Sequence, residues 1–303
     1  MLRASKIVVA LLLVSGAVSL APSSRLLAAS DENPAAAEKR TQSATLKPAA
    51  AAAPDIPFSN YDPQAEQLLL SLANRARAQA GAPPLTLDPG LSRAARLHAE
   101  KMVAERQLSH QFTGEPSLPQ RLAATTRTQL DQEGENVAFD FDAEKGHQHL
   151  MQSPPHRANL LNPAYNVVGL GVVRSGDRLY IVQDFGHALP NYSLTEVKQQ
   201  IAAALAQLRR QANQPALARS DLANPDDAAC SMAQADTLGT EPVHQLAQRY
   251  TVLAYTTLHP GTLPENARAA VASRSLRSFS VGACYGRSAT YPSGVYWVIL
   301  SLD

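Results

Sequence analysis

Three polar islands carry most of this chain's capacity for chemistry. They are Ser109-His110, then Gly134-Glu135-Asn136-Val137-Ala138, then Ser153-Pro154-Pro155-His156-Arg157-Ala158-Asn159-Leu160-Leu161-Asn162-Pro163. An apolar, strand-like run at 167–173 follows directly, which brings the islands beside a buried sheet. His110, Glu135 and His156 are the candidate site residues. A carboxylate beside two imidazoles can hold one of them protonated, or orient it toward a divalent cation. His110 and His156 as neutral ligands would suit Zn2+, although a closed site wants four ligands and a catalytic one three plus water. The same residues read equally well as a buried hydrogen-bond network that ties loops to the sheet.

Other chemistry finds less support. Ser109 and Ser153 stand near histidines, but no strained elbow or cysteine motif marks a nucleophile, so no catalytic residue is assigned. His147 and His149 are two apart, face different ways on a helix and read as exposed polar side chains. Arg157 and Asn159 read as groups that bond loop carbonyls and hold the turn. Gly169 and Gly171 read as points of close backbone packing on a strand.

The positioning elements follow from caps and periodicity. Asp62-Pro63 and Asp88-Pro89 each set a helix start. Leu68, Leu69, Leu72, Ala76 and Ala80 follow the first at helical spacing, and Leu91, Ala94, Ala95, Leu97, His98, Met102 and Val103 follow the second. A further helix is predicted over 142–152, ended by Ser153-Pro154-Pro155. Residues 166–174 and 178–185 predict an antiparallel hairpin joined through Ser175-Gly176-Asp177.

Together with Leu72-Ala73-Asn74-Arg75-Ala76-Arg77, Pro84-Leu85-Thr86-Leu87-Asp88 and the closing Tyr180-Ile181-Val182-Gln183-Asp184-Phe185, these islands resemble the bacterial branch of the CAP (SCP/TAPS) superfamily over residues 60–188. The resemblance implies an α/β fold, an α-β-α sandwich, in a secreted protein that binds lipids or partners. It implies a cavity lined by His110, Glu135, His156, Ser153, Tyr180 and Gln183. His110 and Glu135 match cavity residues of the superfamily, and His156 matches the bacterial Ser-Pro-x-His-Arg-x-Asn signature. The fuller tetrad of eukaryotic members is not matched: Leu150-Met151-Gln152-Ser153 stands where they place a second glutamate, and Tyr180 near their second histidine.

The segment after Tyr192 echoes the first in order. Ser193-Leu194-Thr195-Glu196 is a capping box. Gln214-Pro215-Ala216-Leu217 echoes Pro83-Pro84-Leu85, and Asn224-Pro225 echoes Asp88-Pro89. Ser280-Val281-Gly282-Ala283 matches 167–170, and Tyr296-Trp297-Val298-Ile299 matches 180–183. This alignment puts Thr251 at the place of Glu135 and Val271-Ala272-Ser273-Arg274 near that of 155–158. His244, near the place of His110, reads as a helix-face histidine. A second, degenerate CAP-like domain is expected over 191–303, behind a first over 58–190.

Composition bounds the rest. With 45% hydrophobic and 17% charged residues the chain reads as globular, and a formal charge of +1 without a basic block argues against a nucleic-acid partner. Arg3, Lys6 and the apolar run that follows give a signal-peptide pattern over 1–29, and 30–57 a disordered Ala/Pro-rich linker. The expected location is secreted, periplasmic or otherwise extracytoplasmic. Cys230 and Cys284 are the only cysteines, and an oxidising compartment would join them. Three functions stay open: binding of a lipid, cell-wall component or protein partner, the last through the second domain; metal-assisted hydrolysis with His110 and His156 as ligands and Glu135 as base; and a structural envelope module.

Overall fold

A computed structural model describes residues 7–9, 61–220 and 225–303. The leader and linker expected at 1–29 and 30–57 lie outside these residues, apart from the backbone of strand β1, Ile7–Val9.

The first half begins with α1, Pro63–Gln79, capped by Asp62 accepting from Ala65 N–H at 3.0 Å. After β2, Thr86–Leu87, comes α2, Pro89–Glu105, capped by Asp88 accepting from Leu91 N–H at 2.8 Å. Both caps satisfy first-turn donors that proline cannot waste, as the sequence predicts. The buried stripe of α1 runs through Ala65, Leu69, Ala73 and Arg77, one step round from the predicted face. Next come α3, Leu118–Thr125; β3, Leu130–Asp140; α4, Ala143–Gln152; and α5, Pro154–Leu161. The hairpin strands are β4, Val167–Ser175, and β5, Arg178–Ala188.

The sheet order is β2-β4-β5-β3, with β2 parallel to β4 and the other pairs antiparallel. One face packs on α2 through Val137, Tyr180 and Val182, the other on α1, α4 and α5 through Ala138, Leu170 and Ile181. Three layers result. A side chain on Gly169 would strike the backbone of Leu91 and Ser92, and one on Gly171 that of Ala95, so these glycines let α2 lie against β4. The prolines that end α4 also open α5: Pro154 and Pro155 fill its first turn, where a missing N–H costs nothing.

The second half contains α6, Leu194–Gln211; β6, Ala218–Arg219; α7, Pro225–Ala235; α8, Glu241–Ala247; β7, Thr251–Thr257; α9, Ala267–Val271; β8, Ser278–Gly286; and β9, Val295–Leu302. Its sheet runs β1-β7-β9-β8-β6. Apart from β1, the order and strand senses match those of the first sheet. Details match too. Arg77 is fully buried and donates to the carbonyls of Pro83, Leu160, Asn162 and Tyr165, while Arg209 donates to those of Pro215, Val271 and Ser273.

These matches correct the predicted alignment of the halves. Gly169 pairs with Asp184 and Gly282 with Ile299; Glu135 pairs with Asp184 and Ala254 with Ile299. Ala254, not Thr251, therefore stands where Glu135 does. Leu160 corresponds to Val271 through the two arginines, so His156, four residues earlier, corresponds to Ala267. Sheet register and arginine contacts fix these positions, which short echoes alone could not. Cys230 and Cys284 form a disulfide between α7 and β8, as expected. His244 is exposed on α8.

Candidate functional site

The site is built around β3, an edge strand. Alternation puts Glu135 on the α2 face beside Asp184 and Asn136 on the opposite face beside Gln183. Glu135 is the hub. Its side chain is 4% exposed, with Oε1 2.9 Å from His110 Nδ1 and Oε2 accepting from Arg121 Nη2 of α3. Arg121 Nη1 lies 3.2 Å from Glu115 Oε1 and donates to the His110 carbonyl at 3.2 Å. His98, fully buried on α2, faces the Ser109 carbonyl with Nε2 at 2.8 Å, and that carbonyl can only accept, so Nε2 carries a hydrogen. Its Nδ1 stands between Glu115 Oε1 at 2.7 Å and Arg121 Nη1 at 2.8 Å, so its proton decides which of the two it bonds.

Beneath Glu135, Asp184 is 0% exposed and its carboxyl oxygens accept no hydrogen bond from the described residues. Burial first, then the charge of Glu135, push its pKa well above the usual carboxylate value, against the opposing pull of Arg121. Asp184 thus holds its proton more tightly than an ordinary carboxyl, beneath the Glu135–Arg121 pair. Burial also pushes Glu115 upward, but the His98 hydrogen bond, the Phe112 amide and the charges of His98 and Arg121 outweigh it and hold this carboxyl below its usual range.

His156 approaches from the other side of β3, its ring stacked near that of His110 with centroids 6.3 Å apart. It bonds Ser153 Oγ through Nδ1 at 2.8 Å, not Glu135. Burial and the neighbouring His110 depress its pKa, which favours the neutral ring. The two imidazoles nearest Glu135 are therefore His110 and, at 3.9 Å, His98. Asn136 donates to the His156 carbonyl and to Gln183 Oε1, and Asn159 donates to the Glu135 carbonyl and to Asn136 Oδ1. Asn159 thus holds the turn as predicted, and Arg157 is exposed. Tyr165 Oη donates to the Glu133 carbonyl, so side chains from α5 and the loop after it cap two outer carbonyls of β3.

The structure brings His110, Glu135, His156, Ser153 and Gln183 around one strand segment. Tyr180 lies four residues along β5 from Asp184, in the apolar cluster against α2 with its ring on Phe139 at 4.7 Å. His98, Glu115, Arg121 and Asp184 complete the network without having been singled out in the sequence. His147 corrects the exposed-helix reading: it is buried, and desolvation lowers its pKa, whereas His149 is exposed and bonds Asp140 at 2.5 Å.

A zinc ion does not fit this donor set. With Nδ1 of each ring bonded to a protein partner, His110 and His156 offer one Nε2 each, both Glu135 oxygens are engaged by His110 and Arg121, and a zinc site needs three or four converging ligands. Among the described residues no three His, Cys, Asp or Glu side chains converge on a cation position. No described helix is long and apolar enough to cross a membrane.

Residues 70–185 match the family described as CAP, the cysteine-rich secretory protein family. The uncharacterized protein YkwD of Bacillus subtilis (strain 168) is 32% identical over 155 residues, 49% of this chain and 55% of that protein. The chain thus spans about half the length of the curated relative it matches. An extracellular SCP-domain protein from Bacillus anthracis (strain Ames) is 26% identical, covering 45% of each chain with a TM-score of 0.38. Na-ASP-1 is 8% identical over 82% of this chain and 91% of its own, with a TM-score of 0.44. Residues 70–185 are thus similar to the CAP family, and a second α/β unit of the same strand order follows them.

Proposed function

We propose that this protein is secreted and acts by binding a cell-envelope ligand, a lipid or a cell-wall component, at the rim formed by His110 and His156. The observation that carries this reading is the engagement of Glu135: both of its oxygens are taken, one by His110 and one by Arg121. A carboxylate locked in a buried ion pair positions its neighbours and is poorly placed to act as a general base, which disfavours the hydrolase alternative. His110, 56% exposed yet tethered to a buried anion, is a preorganised contact for an outside ligand. The second half, with Ala254 and Ala267 where the first has Glu135 and His156, serves as support or as a surface for a protein partner. The family match and the Cys230–Cys284 disulfide support export.

The test is co-sedimentation of the full chain with phosphatidylglycerol/phosphatidylethanolamine vesicles and with insoluble peptidoglycan. Wild type should pellet with one of them, and a His110→Ala, His156→Ala variant should stay in solution. Equal sedimentation of both proteins, or chelator-sensitive hydrolysis of either material, overturns the reading.

A further inference from the structure

Two segments of the first half meet at the Arg121–Glu135 ion pair, and the second half grips both. Arg287, just after β8, donates from Nη1 to the Ala123 carbonyl at 2.7 Å and from Nη2 to the Thr126 carbonyl at 2.9 Å. These acceptors lie at the C-terminal end of α3, where carbonyls lack helical partners and the helix dipole favours a cation. Arg121 is two residues before Ala123 on the same short helix. Along β3 the grip is repeated. Ser293 Oγ donates to Glu133 Oε1 at 3.3 Å, and Glu133 shares its strand face with Glu135. His259 Nε2 lies 3.2 Å from Asp131 Oδ2, whose other oxygen is 2.6 Å from His187 Nδ1. Gln129, just ahead of β3, donates to the Gly294 carbonyl at 3.3 Å.

We propose that the second half braces the site of the first, with Arg287 as the positioning residue that holds α3, and so Arg121, in register with Glu135. Among the described residues, the hydrogen bonds that link 287–294 to the first half reach Ala123, Thr126, Gln129 and Glu133, and none reaches His98, His110, Glu115 or His156. Their effect on the site must therefore pass through the placement of Arg121 against Glu135. A guanidinium suits the task because its planar fork reaches two carbonyls at once, which a lysine ammonium matches poorly. This also gives the second half a role that survives the loss of its own polar groups. The proposal is independent of what the site binds, since its consequence is read in the site itself.

The experiment uses the full chain with Arg287→Ala, Arg287→Lys and Ser293→Ala, and Lys198→Ala as a control. The control removes an ion pair to Asp226 within the second half, away from the seam. NMR follows the ring titrations of His110 and His156 and the Arg121 Nε–H resonance, while hydrogen exchange follows α3. In Arg287→Ala the His110 titration and the Arg121 resonance should move, and α3 amides should exchange about tenfold faster, the loss expected when an exposed guanidinium gives up its two carbonyl hydrogen bonds. Arg287→Lys should fall between Arg287→Ala and wild type, and Lys198→Ala should superpose on wild type. Ser293→Ala, a milder change on the β3 arm, should move the same site signals to a smaller extent and provides the reading if Arg287→Ala does not fold. Site titrations that superpose on wild type in folded Arg287→Ala, or in Ser293→Ala should the former not fold, overturn the proposal. Equal movement in Lys198→Ala overturns it too.

Discussion

Replacing Arg121 by alanine should be among the most damaging single changes in the first half, and a second mutation should repair part of the damage. The guanidinium is 8% exposed, and the Glu135 carboxylate it bonds is 4% exposed. It also faces Glu115 and donates to the His110 carbonyl. Removing it leaves Glu135 ionised in a buried site above Asp184, with no cation to offset its lost hydration. Breaking one side of such a pair costs about 3–5 kcal/mol, a large share of a stability of about 5–15 kcal/mol. If the cost comes from the stranded charge, then Glu135→Gln on the Arg121→Ala background should return about 2 kcal/mol, because the amide keeps an acceptor for His110 and needs no counter-charge. Urea melts of wild type, both single variants and the double variant near neutral pH read these differences, with unchanged m-values confirming that the same surface unfolds. A loss below about 1 kcal/mol in Arg121→Ala, or a double variant no more stable than Arg121→Ala, would refute the reasoning.

Three further outcomes are expected. Asp184 and Glu133 both have raised folded-state pKa values, Glu133 by burial first, with Ser293 pulling down and Asp131 pushing up. A carboxyl whose folded value is raised keeps its proton where the unfolded chain has lost it, so native stability falls as pH rises from the ordinary carboxylate value through the raised one. Asp184→Asn and Glu133→Gln should therefore match wild type in acid and gain on it as pH rises; parallel stability-versus-pH curves would show that neither carboxyl is strained. The Cys230–Cys284 disulfide spans 54 residues, so its removal in a double serine variant should cost about 4 kcal/mol by loop entropy, and identical melts with and without reductant would contradict this. Arg77→Ala removes four hydrogen bonds to carbonyls, of which those to Leu160 and Tyr165 are buried, and should cost about 3 kcal/mol, with Arg77→Lys recovering only part; a near-neutral Arg77→Ala would mean that water replaces the guanidinium.

What the sequence revealed was what local rules govern. The Asp62 and Asp88 caps, the hairpin, the close-packed Gly169 and Gly171, the turn-holding Asn159 and the disulfide all follow from a residue and its near neighbours. The polar core of the site did not. Gly134–Asn136 stands out in the sequence only as a polar island, yet it belongs to an edge strand whose polar groups are buried by distant partners. Arg121 sits on a helix too short to show a period, and only the fold brings it to Glu135. His98 falls within an apolar helical stripe, where its burial was legible but its partners 11 and 17 residues on were not. Arg77 could have been found: it completes the four-residue spacing Ala65, Leu69, Ala73, and an arginine on such a stripe must carry its own acceptors inward.

The caps on β3 bear on solubility as well as on the site. An edge strand is a template for another chain, and here Tyr165 and Asn159 occupy the carbonyls of Glu133 and Glu135 that an incoming strand would need. The second sheet has Ala270 and Leu276 at the corresponding places, and there β7 carries a parallel strand, Ile7–Val9, along its edge. In the first half, the residues that hold His156 against β3 are thus also a seal against intermolecular pairing. A variant such as Asn159→Ala would then be expected to appear first as a change in oligomerisation or amyloid-dye binding, and a ligand that tightens the 153–162 segment would act as an aggregation inhibitor of its own receptor.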